Sequence, residues 1–144
     1  MNPRSELEKG VNLLLPALEP SGFKYEFKVE GQGSGGPFAS CHFVSGNKYL
    51  ELSFRCSLGC VKYRVSSTAF SHRDYMDAIG VRNKAKYPGF SSEPIKAFEH
   101  LTYDISNFAE VFLTGSEDEF TKLINSYKDK PKRSGFAALS NNET

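Results

Sequence analysis

Phe23-Lys24-Tyr25-Glu26-Phe27-Lys28-Val29-Glu30 decides the fold: every second residue is apolar and each one between is charged. Side chains of a strand point alternately to opposite faces, so a period of two predicts a strand buried on one side and wet on the other. A second strand is predicted from Phe38 to Val44, turning at Ser45-Gly46-Asn47. Leu50, Leu52, Phe54 and Cys56 then share one face of a third strand, and Val61, Tyr63 and Val65 the matching face of a fourth. A tight turn at Leu58-Gly59, with Gly59 supplying a positive φ, pairs Cys56 with Val61, Phe54 with Tyr63 and Leu52 with Val65.

On the N-terminal side, Leu7, Val11, Leu14, Leu15 and Leu18 recur at helical spacing behind a Ser5/Glu8 capping box. The helix is predicted over 5–19, disturbed at Pro16 and stopped by Pro20-Ser21-Gly22. Beyond Val65 the period becomes three and four. Ser71 with Asp74 opens a short helix ending at Gly80, and a basic loop covers 81–91. Ser92 is the expected cap of a long helix whose stripe is Ile95, Phe98, Leu101, Ile105, Phe108 and Phe112. Gly115 ends it, and Ser116 with Glu119 caps a last helix. The whole is an α+β fold: a four-stranded antiparallel meander with helices on one face, in the order α-β-β-β-β-α-α-α. A chain of 144 residues is long enough for one cored domain, expected over 1–128, with a disordered polar tail over 129–144.

The totals exclude several function classes. Eighteen basic and 17 acidic residues leave a formal charge of +1, so no global field draws in nucleic acid or an anionic membrane. No run approaches the ~20 apolar residues that span a bilayer. Met1-Asn2-Pro3-Arg4-Ser5-Glu6 lacks the apolar segment of a signal peptide, so a cytoplasmic protein is expected.

Catalytic and cofactor signatures are missing from the sequence. The glycine-rich run 31–37 has neither the lysine nor the following helix of a phosphate-binding loop, and reads as a flexible hairpin loop. Cys56-Ser57-Leu58-Gly59-Cys60 has the look of half a zinc site. In the register above, however, Cys56 faces inward and Cys60 outward, and two thiolates on opposite faces cannot share a tetrahedral ion or a disulfide. Cys41 is expected to be buried with Cys56. His42, His72 and His100 sit on different elements with no nucleophile motif beside them, and structural roles are expected for all three. Neither a cofactor, a metal site nor a catalytic residue is therefore expected, and a non-catalytic protein is the favoured reading.

Two surfaces remain. In the expected register Arg55 stands across from Lys62, and Ser53 from Arg64, which makes the outer sheet face a candidate for RNA or another anion. Glu26, Glu30 and Glu51 interleave with these cations, so a solvated face laced with ion pairs is preferred. The 81–91 loop carries Arg82, Lys84, Lys86 and Tyr87-Pro88-Gly89-Phe90. Phe90 is expected to tuck into the core and Tyr87 to stay outside. With Asp74 at the neighbouring helix start, Arg82, Lys86 and Tyr87 form the candidate protein-binding set.

The layout resembles that of small cytosolic bacterial immunity proteins and related α+β domains. The matching elements are Leu14-Leu15-Pro16-Ala17-Leu18 leading into Gly22-Phe23, the hairpin around Leu58-Gly59, and the helices after Ser71 and Ser92. That resemblance implies a stoichiometric cognate partner, such as a toxin, and no catalysis. Many immunity proteins are strongly acidic, and a charge of +1 departs from that pattern.

Overall fold

In the computed structural model, which describes residues 2–128, the alternating segment forms β1 (Lys24–Gly33), the edge strand of an antiparallel sheet. β2 (Gly36–Ser45), β3 (Lys48–Phe54), β4 (Leu58–Val65) and β5 (Thr68–Ser71) follow in sequence order, so the meander has five strands, not four. The extra strand is Thr68-Ala69-Phe70-Ser71, reached through a Ser66-Ser67 turn in which Ser66 adopts φ 54°. Serine in the left-handed region carries none of the Asn-Gly signal that normally announces such a turn. The tail over 129–144 lies outside the described residues.

The helices cover one face. α1 (Pro3–Leu18) is capped by Asn2, whose side chain accepts from the Ser5 amide; it begins before the expected Ser5 box and runs through Pro16. α2 (His72–Ala78) starts at Ser71 as expected, with the Asp74 amide donating to the serine Oγ at 3.1 Å. The expected long helix is two: α3 (Pro94–Phe108) and α4 (Glu110–Thr114), interrupted at Ala109. Glu93, not Ser92, precedes the first turn of α3, and makes no side-chain cap. α5 (Glu117–Lys128) carries the expected capping box, with Ser116 Oγ accepting from the Glu119 amide and Glu119 Oε1 from the Ser116 amide.

Apolar side chains of the sheet's inner face meet these helices in a single buried cluster. Tyr63 lies at its centre, edge-on to Tyr75 at 4.7 Å and to Phe112 at 5.0 Å. Phe54 stacks on Phe98 of α3 at 6.0 Å. Gly10 lets α1 meet α3: a Cβ there would stand 2.2 Å from the Phe98 ring. Of the stripe expected on α3 and α4, Phe98, Leu101, Ile105 and Phe112 are buried, whereas Ile95 and Phe108 are only partly so.

The β3–β4 register differs from the expected one. Leu52 pairs with Val61, Leu50 with Tyr63 and Lys48 with Val65, with an irregularity at Phe54–Leu58. The connection is Arg55-Cys56-Ser57, so Leu58 and Gly59 belong to β4 and Gly59 has no positive φ. Cys56 therefore lies in the turn, exposed, and only Cys41 is buried. The glycine run is also more ordered than expected: Gly31, Gln32 and Gly33 pair with Phe38, Pro37 and Gly36 around a Ser34-Gly35 turn.

Candidate functional site

The outer sheet face is neutralised locally. Glu26, His42, Glu51 and Lys62 lie side by side across β1 to β4. His42 Nε2 stands 2.6 Å from Glu26 Oε1, and its ring packs against Tyr49 at 5.1 Å. Arg64 donates to Glu51 Oε2 at 2.9 Å and lies over the Tyr49 ring at 4.1 Å. Arg55 does not oppose Lys62: its Nη1 donates to the Gly36 carbonyl at 3.0 Å, and its guanidinium sits over Phe38. Lys62 faces Glu51 instead, so Arg55 and Lys62 lie about four residues apart along the strands, roughly 13 Å. The structure does not bring Arg55, Lys62 and Arg64 into one anion-binding cluster.

At the opposite side of the molecule a buried carboxylate organises the 81–91 loop. Asp104 of α3 is 0% exposed and His72 of α2 is 3% exposed. Asp104 Oδ2 accepts from His72 Nε2 at 2.9 Å and from the Tyr87 amide at 2.9 Å, and Oδ1 accepts from the Lys86 amide at 2.7 Å. The Tyr63 hydroxyl lies 2.7 Å from His72 Nδ1. Burial, with the buried Tyr75 hydroxyl and the Asp104 carboxylate nearby, pushes the Tyr63 phenol well above its ordinary pKa. It stays protonated and shares a hydrogen bond with Nδ1, while Nε2 on the other side of the ring donates to Asp104.

This Asp–His–Tyr chain has the connectivity of an oriented base, but not the access. Its terminal group, Tyr63, is fully buried, and both ring nitrogens of His72 are engaged. A substrate would need to reach one of those atoms for general acid–base work. What the chain does is mechanical: it fastens two consecutive loop amides to α3 and, through His72 and Tyr63, to α2 and β4.

Fastening the loop sets its side chains in an order opposite to the expected one. Tyr87 turns inward, its ring edge-on to His72 at 5.3 Å and its hydroxyl donating to the Leu58 carbonyl. Burial raises its pKa to about 12. Phe90 is fully exposed. Arg82, Lys84 and Lys86 are exposed and form no ion pair among the described residues. The Lys86 ammonium lies 3.9 Å over the ring of Tyr103, an exposed aromatic of α3. Asp74 does not join this surface: its Oδ1 accepts from Tyr127 of α5 at 3.3 Å, beside Asp77, which accepts from the same hydroxyl at 2.9 Å. Of the four expected residues, Arg82 and Lys86 thus stay outside, Tyr87 becomes an anchor and Asp74 turns to Tyr127, while Phe90, outside that set, takes the outer position.

Sequence reading missed Asp104 and misplaced Phe90. A signal for the first existed: residue 104 falls three positions after Leu101 and one before Ile105, inside the helix's buried stripe, and a carboxylate there requires donors. For Phe90 none existed, since nothing local says which of two loop aromatics is tied down.

Among the described residues no group of three or more His, Cys, Asp and Glu side chains is placed to hold a metal ion, and no helix is long and apolar enough to cross a membrane. Compared with protein-family models, with curated proteins and with solved structures, the chain has no match.

Proposed function

We propose that this chain is a non-catalytic protein-binding domain that neutralises or regulates one cognate partner, such as a toxin, in an immunity-like manner. The loop 81–91 and the adjoining face of α3 are its docking surface. The observation that carries this reading is Phe90: a large aromatic held in water on a loop whose backbone is fastened by Asp104. An aromatic presented by an already ordered loop loses little freedom on binding, which is how few residues come to dominate an interface. Arg82, Lys84 and Lys86, exposed on the same loop, favour a partner whose contact surface carries acidic groups beside an apolar one. A cytoplasmic setting suits the free, exposed thiols of Cys56 and Cys60.

The test is capture from the native cytosol on immobilised wild-type protein and on Phe90→Ala, scored for both protein and nucleic acid. The reading expects one stoichiometric protein on the wild type and its loss on Phe90→Ala. Nucleic acid on both baits, or an unchanged protein set on the variant, contradicts it.

A further inference from the structure

We infer that the cleft between α2 and the 81–91 loop is a carboxylate-binding subsite, filled by an acidic group of the partner protein. The inference deepens the docking role given to the loop and rests on it. The cleft has a volume of about 230 Å³. Pockets that take drug-sized ligands begin at roughly 300 Å³, so this one suits a single side chain, a chain terminus or a small acid rather than a nucleotide.

Its chemistry is divided. Met76, Tyr87 and Pro88 supply apolar wall, and His72 lines the cleft with both ring nitrogens already bonded. That side offers a ligand no free hydrogen bond. Arg73 and Arg82 line the same cleft, are exposed, and have no carboxylate within salt-bridge distance among the described residues. Asp77, the acid that borders Arg82 in the adjoining hollow, is turned to the Tyr127 hydroxyl. Two arginines lining a small, largely apolar recess match a carboxylate carried on a short apolar or aromatic body, because a guanidinium can hold both oxygens at once.

Benzoate is the direct probe, benzamide its neutral counterpart. Titration at constant ionic strength, followed by NMR shifts of Met76 and Tyr87, should show saturable benzoate binding, and benzamide binding on the order of tenfold weaker, the loss that accompanies one charge-assisted interaction. Arg73→Gln with Arg82→Gln should reduce benzoate binding by a similar factor, while Lys62→Gln on the outer sheet face leaves it unchanged. Equal affinity for benzamide, unchanged binding in the double variant, or displacement by an equal concentration of inorganic phosphate would overturn the carboxylate assignment. Excess benzoate should also displace the captured partner. Benzoate bound in the cleft with the partner undisturbed would show that the acid comes free from solution, and would overturn the partner as its source. Absence of benzoate binding removes the cleft but leaves the Phe90 capture result standing, so the two readings fail separately.

Discussion

Asp104 is a carboxylate with no contact to water, and it persists there because three donors from two different segments converge on it. A buried charge is tolerable only when paired and hydrogen-bonded. Asp104→Asn keeps the volume but replaces one acceptor oxygen with an NH2 that must face a donor. We expect a loss of about 2–4 kcal/mol in urea unfolding, with faster hydrogen exchange at the Lys86 and Tyr87 amides. Unchanged exchange at those two amides would show that the loop is held by other means. Residue identity was only partly legible in the sequence. Asp104 lies 32 residues from His72 and 17 from Tyr87, and a partnership over those separations leaves no local pattern to read.

At the scale of elements, α1 and α3 are packed through the one position that has no side chain. Gly10→Ala would drive a methyl into the Phe98 ring, and we expect about 1–3 kcal/mol of destabilisation by thermal or urea unfolding. Gly59→Ala, on a strand with no close neighbour and no positive φ, should change stability by less than about 0.5 kcal/mol. A large cost at Gly59 would restore the tight turn that the sequence suggested there. The break at Ala109 likewise divides two phenylalanines that share one periodic stripe. Phe112→Ala should cost about 3–5 kcal/mol, and the half-exposed Phe108 clearly less.

These elements show which information alternation carries. It sets the face of each residue, and Leu52, Phe54, Val61, Tyr63 and Val65 all lie on the face expected. It does not set which residues pair, because moving the partner of Leu52 from Val65 to Val61 keeps every face. Turn length makes that choice, and the three-residue Arg55-Cys56-Ser57 connection has no signature like that of a two-residue turn. Cys56 was lost from the core by the same step. Helix starts were legible where a serine caps them, at Ser71 and Ser116, and were misread where another residue precedes the first turn.

For the molecule as a whole, the burial of Cys41 and Tyr87 makes stability depend on alkaline pH. Burial, with the Glu8 charge adding to it, raises the Cys41 thiol from 9.0 to about 12, and burial, with a smaller contribution from Cys60, raises the Tyr87 phenol from 10.0 to about 12. In each case the unfolded chain ionises first. Their contribution is full below about pH 9, and is lost as pH climbs through the folded values near 12. The urea midpoint should therefore hold to about pH 9 and fall steadily from there to pH 12; a flat profile over that interval would contradict the burial of both groups.

On the proposed reading, a partner would meet one of two surfaces: the fastened 81–91 loop, or the outer sheet face whose cations are dispersed among acids and aromatics. Composition made both surfaces legible, and the proposal favours the loop because Asp104 fastens its backbone. The most direct measurement is the affinity of the captured partner for two charge-reversed proteins, Arg82→Glu with Lys86→Glu and Arg55→Glu with Lys62→Glu. The account predicts that the loop pair weakens binding by on the order of tenfold or more while the sheet pair stays near wild type. Loss of binding in the sheet pair with the loop pair unaffected would contradict it.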